Sequence, residues 1–117
     1  MADNALYIGW NRAVIGREKL AMELFTGFMS FLQEQVNSET IESYEPVVLG
    51  AHGGDMNGFF LVRGEATKLD TLKRSDRFLD LLTQCSYAVE NVGVIDAFIG
   101  NGLSSQITRY NKLIGDN

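Results

Sequence analysis

Cysteine, histidine, proline and tryptophan each occur once in this chain of 117 residues. A single Cys85 excludes an intrachain disulfide and a cysteine-rich zinc site. A single His52 means that any Ser-His-Asp or Cys-His chemistry would have to use that residue. A single Pro46 argues against a proline-rich disordered tail. Long apolar runs are missing as well, and the longest falls far short of the ~20 residues that a membrane span needs. Asn11, Arg12, Arg17 and Glu18 interrupt any signal-peptide core in the first thirty residues. Together with the lone cysteine, this gives a cytoplasmic expectation, with no membrane partner. Positive charge is in deficit: ten Lys and Arg face fifteen Asp and Glu, for a net charge of −5. Broad electrostatic capture of nucleic acid is therefore not expected. No metal or cofactor is expected either.

What remains is an ordinary globular composition, 45% hydrophobic and 21% charged. At this length a single domain over residues 1–117 is the natural reading. Residues 5–10, Ala-Leu-Tyr-Ile-Gly-Trp, read as a first strand. From Arg17 to Val36, Leu20, Leu24, Phe28, Phe31, Leu32 and Val36 recur mainly at steps of three and four, the mark of an amphipathic helix. Phe25 and Met29 widen its apolar face. Tyr44 to Ala51 reads as a second strand, and Pro46 places it at a sheet edge, because proline lacks the amide donor. His52 to Gly58 is a glycine-rich turn.

Gly58 to Ala66 reads as a third strand. Phe60, Val62, Gly64 and Ala66 are apolar or small and should face helices, whereas Phe59, Leu61, Arg63 and Glu65 face something partly polar. Thr67 to Cys85 is helical, with a break expected at Ser75-Asp76, where the serine can cap a new segment. Ala88 to Ile99 reads as a fourth strand. Leu103, Ile107, Tyr110 and Ile114 then mark a short terminal helix.

The order is β-α-β-β-α-β plus a terminal helix. The split arrangement gives an antiparallel sheet in the order 4-1-3-2, with the helices on one face: a ferredoxin-like α+β fold. Pro46 on an edge strand agrees with that order. The other sheet face, with Phe59, Leu61 and either Tyr7 or Trp10, is too apolar to stay bare. The terminal helix could cover part of it, and a second copy of the sheet would cover more. A homodimer with sheets face to face is therefore expected.

The second helix, Leu69-xx-Leu72-xx-Ser75-Asp76-x-Phe78, and the closing strand, Val94-Ile95-Asp96-Ala97-Phe98-Ile99-Gly100, resemble those of the dimeric α+β barrel proteins. So do the element order and the length. The resemblance covers about residues 5–100. It implies kinship in fold with small cofactor-free monooxygenases, muconolactone-isomerase-like enzymes, haem-degrading enzymes and stress-responsive barrel proteins. A fold shared by so many chemistries does not choose among them.

The chemistry-bearing residues are few. His52 could transfer a proton or ligate haem, or be an exposed turn residue; with Asp55 it falls short of a metal site. Gly53, Gly54 and Gly58 suit a hairpin turn better than a phosphate cradle, because no helix opens there. Arg63 and Glu65, with Asp96 on the fourth strand, could form a polar site in an apolar pocket: a carboxylate base and an anion-holding arginine. The reading favoured over that site is structural: an ion pair of Arg63 with Glu65 or Asp96 that fixes a dimer, or plain exposure at the sheet edge. Tyr7, Trp10, Phe59 and Phe98 could line a site for a flat apolar molecule, or belong to the core. Cys85 reads as a buried structural thiol. Lys68, Lys73, Arg74 and Arg77, interleaved with Asp70, Asp76 and Asp80, read as a solvated salt-bridged face.

Three functions follow as expectations. The first is a homodimer that binds a small hydrophobic or aromatic ligand. The second is a cofactor-free monooxygenase or isomerase acting on a small conjugated substrate. The third is a structural or partner-binding dimer.

Overall fold

A computed structural model describes residues 2–115. Strand β1 (Asn4–Trp10) leads to helix α1 (Glu18–Asn37), strands β2 (Ser43–Val48) and β3 (Gly58–Gly64), helices α2 (Ala66–Arg74) and α3 (Asp76–Ala88), strand β4 (Gly93–Phe98) and helix α4 (Gly100–Ile114). The strands form one sheet in the order β2-β3-β1-β4. All three pairings are antiparallel. This is the expected ferredoxin-like α+β arrangement, and Pro46 lies on an edge strand.

Alternation along β3 sorts the two faces. Gly58, Phe60, Val62 and Gly64 are buried, while Phe59, Leu61 and Arg63 are half-buried. Leu6 and Ile8 stand opposite Val62 and Phe60. They share the helix-covered face, and Phe28, Phe31, Leu32, Leu69, Leu72 and Phe78 descend on it to complete the core. Phe28 stacks on Phe60 with centroids 5.4 Å apart. Phe78 meets the edge of Phe28 at 5.8 Å.

The expected break between the second and third helices is present. Ser75 adopts an extended backbone, and its hydroxyl accepts the Phe78 amide at the start of α3. The same hydroxyl donates to the Leu72 carbonyl at 2.8 Å. One side chain therefore closes α2 and opens α3.

Several boundaries differ from the sequence reading. β3 stops at Gly64 rather than Ala66, because α2 starts at Ala66 with Glu65 as its N-cap residue, and glycine at 64 leaves room for Leu69 of that helix. Glu65 and Ala66 therefore leave the strand. β4 begins at Gly93 rather than Ala88, because α3 runs on through Ala88. Asn91 then turns the chain with φ of 53°, a conformation that asparagine tolerates better than most residues. The terminal helix is not short: it has 15 residues. It packs chiefly against β4. It leaves Ile95, on the open sheet face, 61% exposed. No helix among the described residues is long and apolar enough to cross a membrane.

Candidate functional site

A cavity of about 350 Å³ opens between the helix-covered sheet face and helices α1 and α3. The sheet contributes Ile8, Trp10 and Phe60, α1 contributes Met22, Phe25 and Phe28, and α3 contributes Cys85 and Ala88. Its aromatic wall is continuous. Trp10 lies 5.1 Å from Phe60 and 5.8 Å from Phe25. Phe25 and Phe60 stack at 5.4 Å with an interplanar angle of 18°.

Two features of sequence open this space. Ala13, Ala21 and Ala88 line it, where larger side chains would fill it. Gly58 also matters, because a Cβ there would meet the Val47 carbonyl at 2.5 Å and the Trp10 ring at 2.9 Å. Glycine therefore lets the indole lie across the end of β3.

The loop after β1 closes one side. Ala13 bridges to Val89, the Asn11 amide donates to the Glu90 carbonyl, and the Val14 amide donates to the Ala88 carbonyl. Arg17 adds a latch. Its guanidinium sits 3.8 Å from the Tyr87 ring centre and donates to the Tyr87 carbonyl at 3.0 Å.

Polar groups are sparse. Glu18 and Asn57 lie on the lining, both on exposed residues. Glu18 accepts the Gly16 amide at 2.8 Å. The Trp10 indole N–H pairs with no described residue, and no side-chain nitrogen or oxygen among the described residues is buried without a partner, so this N–H is solvent-accessible and remains a donor for water or an occupant. Burial pushes the Cys85 thiol up to about 11, so near neutral pH it is a protonated apolar surface rather than a nucleophile.

The residues singled out from sequence fall in separate places. Trp10 is at the cavity. Tyr7 and Phe59 are on the opposite sheet face, 5.1 Å apart. Tyr7 lies along that face over Gly9, where a Cβ would meet the ring at 2.6 Å. Phe98 stands across from Asn4, at the far end of β4 from the Val94–Ile8 pair beside the cavity. These aromatics therefore do not line one site.

Arg63 and Asp96 are also parted. Arg63 stands opposite Ala5, whereas Asp96 stands opposite Leu6, so the pleat sends them to opposite faces. Arg63 donates to Glu45 from both terminal nitrogens at 3.1 Å. Asp96 accepts from Lys73 at 2.9 Å. Glu65 has left the strand and accepts the Thr67 hydroxyl at 2.7 Å. The expected Arg63–Glu65–Asp96 grouping does not form, and neither does an ion pair of Arg63 with Glu65 or Asp96.

His52 lies in the exposed turn between β2 and β3. Its Nδ1 accepts the Gly54 amide at 3.1 Å, which leaves Nε2 to donate to the Met56 carbonyl at 2.9 Å. Gly53 takes φ of 80°, so the glycines serve the turn. Among the described residues no group of acidic, histidine and cysteine side chains could hold a metal.

Sequence reasoning missed most of the lining. Phe25 read as a widened helix face. Val89 and Val92 read as strand, whereas both border the cavity. The available signal was the set of alanines at 13, 21 and 88. It becomes meaningful only when α1, α3 and the first loop converge.

The sheet order and the helices define the class: a ferredoxin-like α+β protein with an apolar cavity under its helices. No protein-family model and no curated sequence matches the chain. Among solved structures, it is similar to a conserved protein from Methanosarcina mazei, with a TM-score of 0.62 and 15% identity over 85% of this chain and 95% of that one. A dimeric protein of unknown function and ferredoxin-like fold from Bacteroides fragilis gives 0.61, at 10% identity over 82% and 96%. The hydroxynitrile lyase of Passiflora edulis gives 0.60, at 10% identity over 86% and 96%. At such identities the likeness is one of fold, the ferredoxin-like fold expected from the element order.

Proposed function

We propose that this protein is a cytoplasmic homodimer that binds a small apolar molecule, of one or two aromatic rings, between its sheet and helices α1 and α3. The observation that carries the reading is the cavity of about 350 Å³ walled by Trp10, Phe25 and Phe60. That volume lies within the ~300–1,000 Å³ typical of small-molecule sites. An apolar cavity of ~150 Å³ already admits benzene. The Trp10 indole N–H is the orienting donor, and ring stacking supplies affinity. Pairing is supported by the open face, where Tyr7, Phe59, Leu61 and Ile95 stand together. The Bacteroides fragilis protein of the same fold is dimeric. The lone Cys85 suits a reducing compartment.

The single tryptophan makes a direct test. Naphthalene and 2-naphthol, titrated into the protein, should change Trp10 fluorescence saturably at one molecule per chain. Ala21→Phe fills the cavity from α1 and should abolish the change while the circular dichroism spectrum is kept. Trp10→Phe should weaken 2-naphthol more than naphthalene, read by calorimetry. A wild-type protein whose fluorescence does not saturate with any one- or two-ring aromatic overturns the reading.

A further inference from the structure

Helix α4 carries an apolar face that the rest of the described chain leaves uncovered. Leu103, Ile107 and Tyr110 recur at steps of four and three, so they share one side. They are 48%, 50% and 58% exposed. None of the helix's residues is buried against the described chain. An isolated helix of ~15 residues is marginal in water without a packed face.

Its root is nonetheless well fixed. The Asp3 carboxylate accepts the Asn101 amide at 3.1 Å, capping the first turn from another part of the chain. Gly102 sits so close to the Asp3 carbonyl that no Cβ would fit. The helix is therefore aimed, and it extends the molecule. The radius of gyration is 15.9 Å, against about 13 Å for a compact chain of this length.

We infer that α4 is an arm that docks, through Leu103, Ile107 and Tyr110, on a second copy of this chain. This rests on the homodimer reading and adds to it the element that completes the interface. Two uncovered apolar surfaces meet at β4: the open sheet face, ending in Ile95, and the helix that packs on that strand. A two-fold pair satisfies both at once, because each copy offers the same two surfaces. Area points the same way. Two facing sheets of this size bring together very roughly 800 Å² of plan area. A stable dimer buries about 1,200–2,000 Å². Two arms, each ~22 Å long and ~10 Å wide, with the surfaces they cover, roughly double the sheet contribution.

Sedimentation equilibrium of the full chain tests this. The wild type should sediment at twice 13.0 kDa. The double variant Leu103→Glu/Ile107→Glu should raise the dimer dissociation constant at least about thirtyfold, and Ile107→Leu should leave it near wild type. Neither side chain is buried within the chain, so near-ultraviolet dichroism of the Glu variant should keep its native form. A dimeric wild type whose Glu variant dissociates no more readily overturns the arm and leaves the homodimer standing. A wild type that stays at 13.0 kDa at tens of micromolar overturns both. A mass that climbs past two copies with concentration overturns the closed two-fold pair.

Discussion

Cys85 and His52 are the two singletons with reactive side chains, and their surroundings give them different fates. Cys85 lines the apolar cavity, and burial raises its thiol to about 11. The sign is that of an acid whose charged form is disfavoured: the thiolate is scarce below that value and forms only as pH approaches it. Alkylation by iodoacetamide should therefore be slow at pH 8 and accelerate steeply between pH 9 and 11. A bound aromatic molecule should slow it further, which intact-mass analysis reads directly. The lone cysteine already suggested a structural thiol. That it borders a cavity was hidden, because the cavity needs α1 and the first loop to meet it. His52 is held by its own turn, through Gly54 and Met56, so His52→Ala should leave cavity binding unchanged. Phe60 is the residue on which the site and the core converge. It is 2% exposed and packs against Trp10, Phe25 and Phe28. Phe60→Ala should cost about 3–5 kcal/mol in urea unfolding.

Among the elements, the junction between α2 and α3 was the most legible. Ser75-Asp76 inside an otherwise helical pattern carries local chemistry, and local chemistry survives tertiary context. Ser75→Ala removes the hydroxyl that accepts the Phe78 amide and donates to the Leu72 carbonyl. The expected loss is ~1–2 kcal/mol in a denaturant titration, with Ser75→Asp restoring the capping part. The fourth strand was less legible. Val89 and Val92 have strand-forming side chains, but they follow a helix that ends only at Ala88, and they serve as cavity wall. Propensity gave way to tertiary placement. The Arg63–Asp96 grouping fails to form for a related reason. Alternation along one strand is visible in sequence, whereas the register between strands is not. Asp96 falls opposite Leu6 rather than Ala5, and one residue of register decides the face. Asp96 instead pairs with Lys73, whose ammonium is held above its usual value chiefly by that hydrogen bond. Asp96 is largely exposed and Lys73 half-buried, so Asp96→Asn should change stability by at most about 1 kcal/mol.

At the scale of the molecule, the sheet has two apolar faces with different occupants. One is covered by α1, α2 and α3 of the same chain and holds the cavity. The other carries Tyr7, Phe59, Leu61 and Ile95, with the Arg63–Glu45 pair among them. Element order alone made this division readable, because a split β-α-β-β-α-β chain puts its helices on one side. The location of the cavity follows from side-chain volumes, which no periodicity reports. The division also separates two properties that are joined when a site lies between subunits. The aromatic walls around Trp10 all belong to one chain and stand on the covered face, so cavity binding should not require pairing. Ile95→Glu places a charge on the open face at the edge strand β4, where the arm packs, and should yield a monomer by sedimentation. That monomer should still bind one aromatic molecule per chain, with a dissociation constant within about threefold of the dimer's, since sites without shared partners are close to additive. A monomer that has lost binding while keeping its near-ultraviolet dichroism would show instead that the second copy shapes the cavity through the sheet.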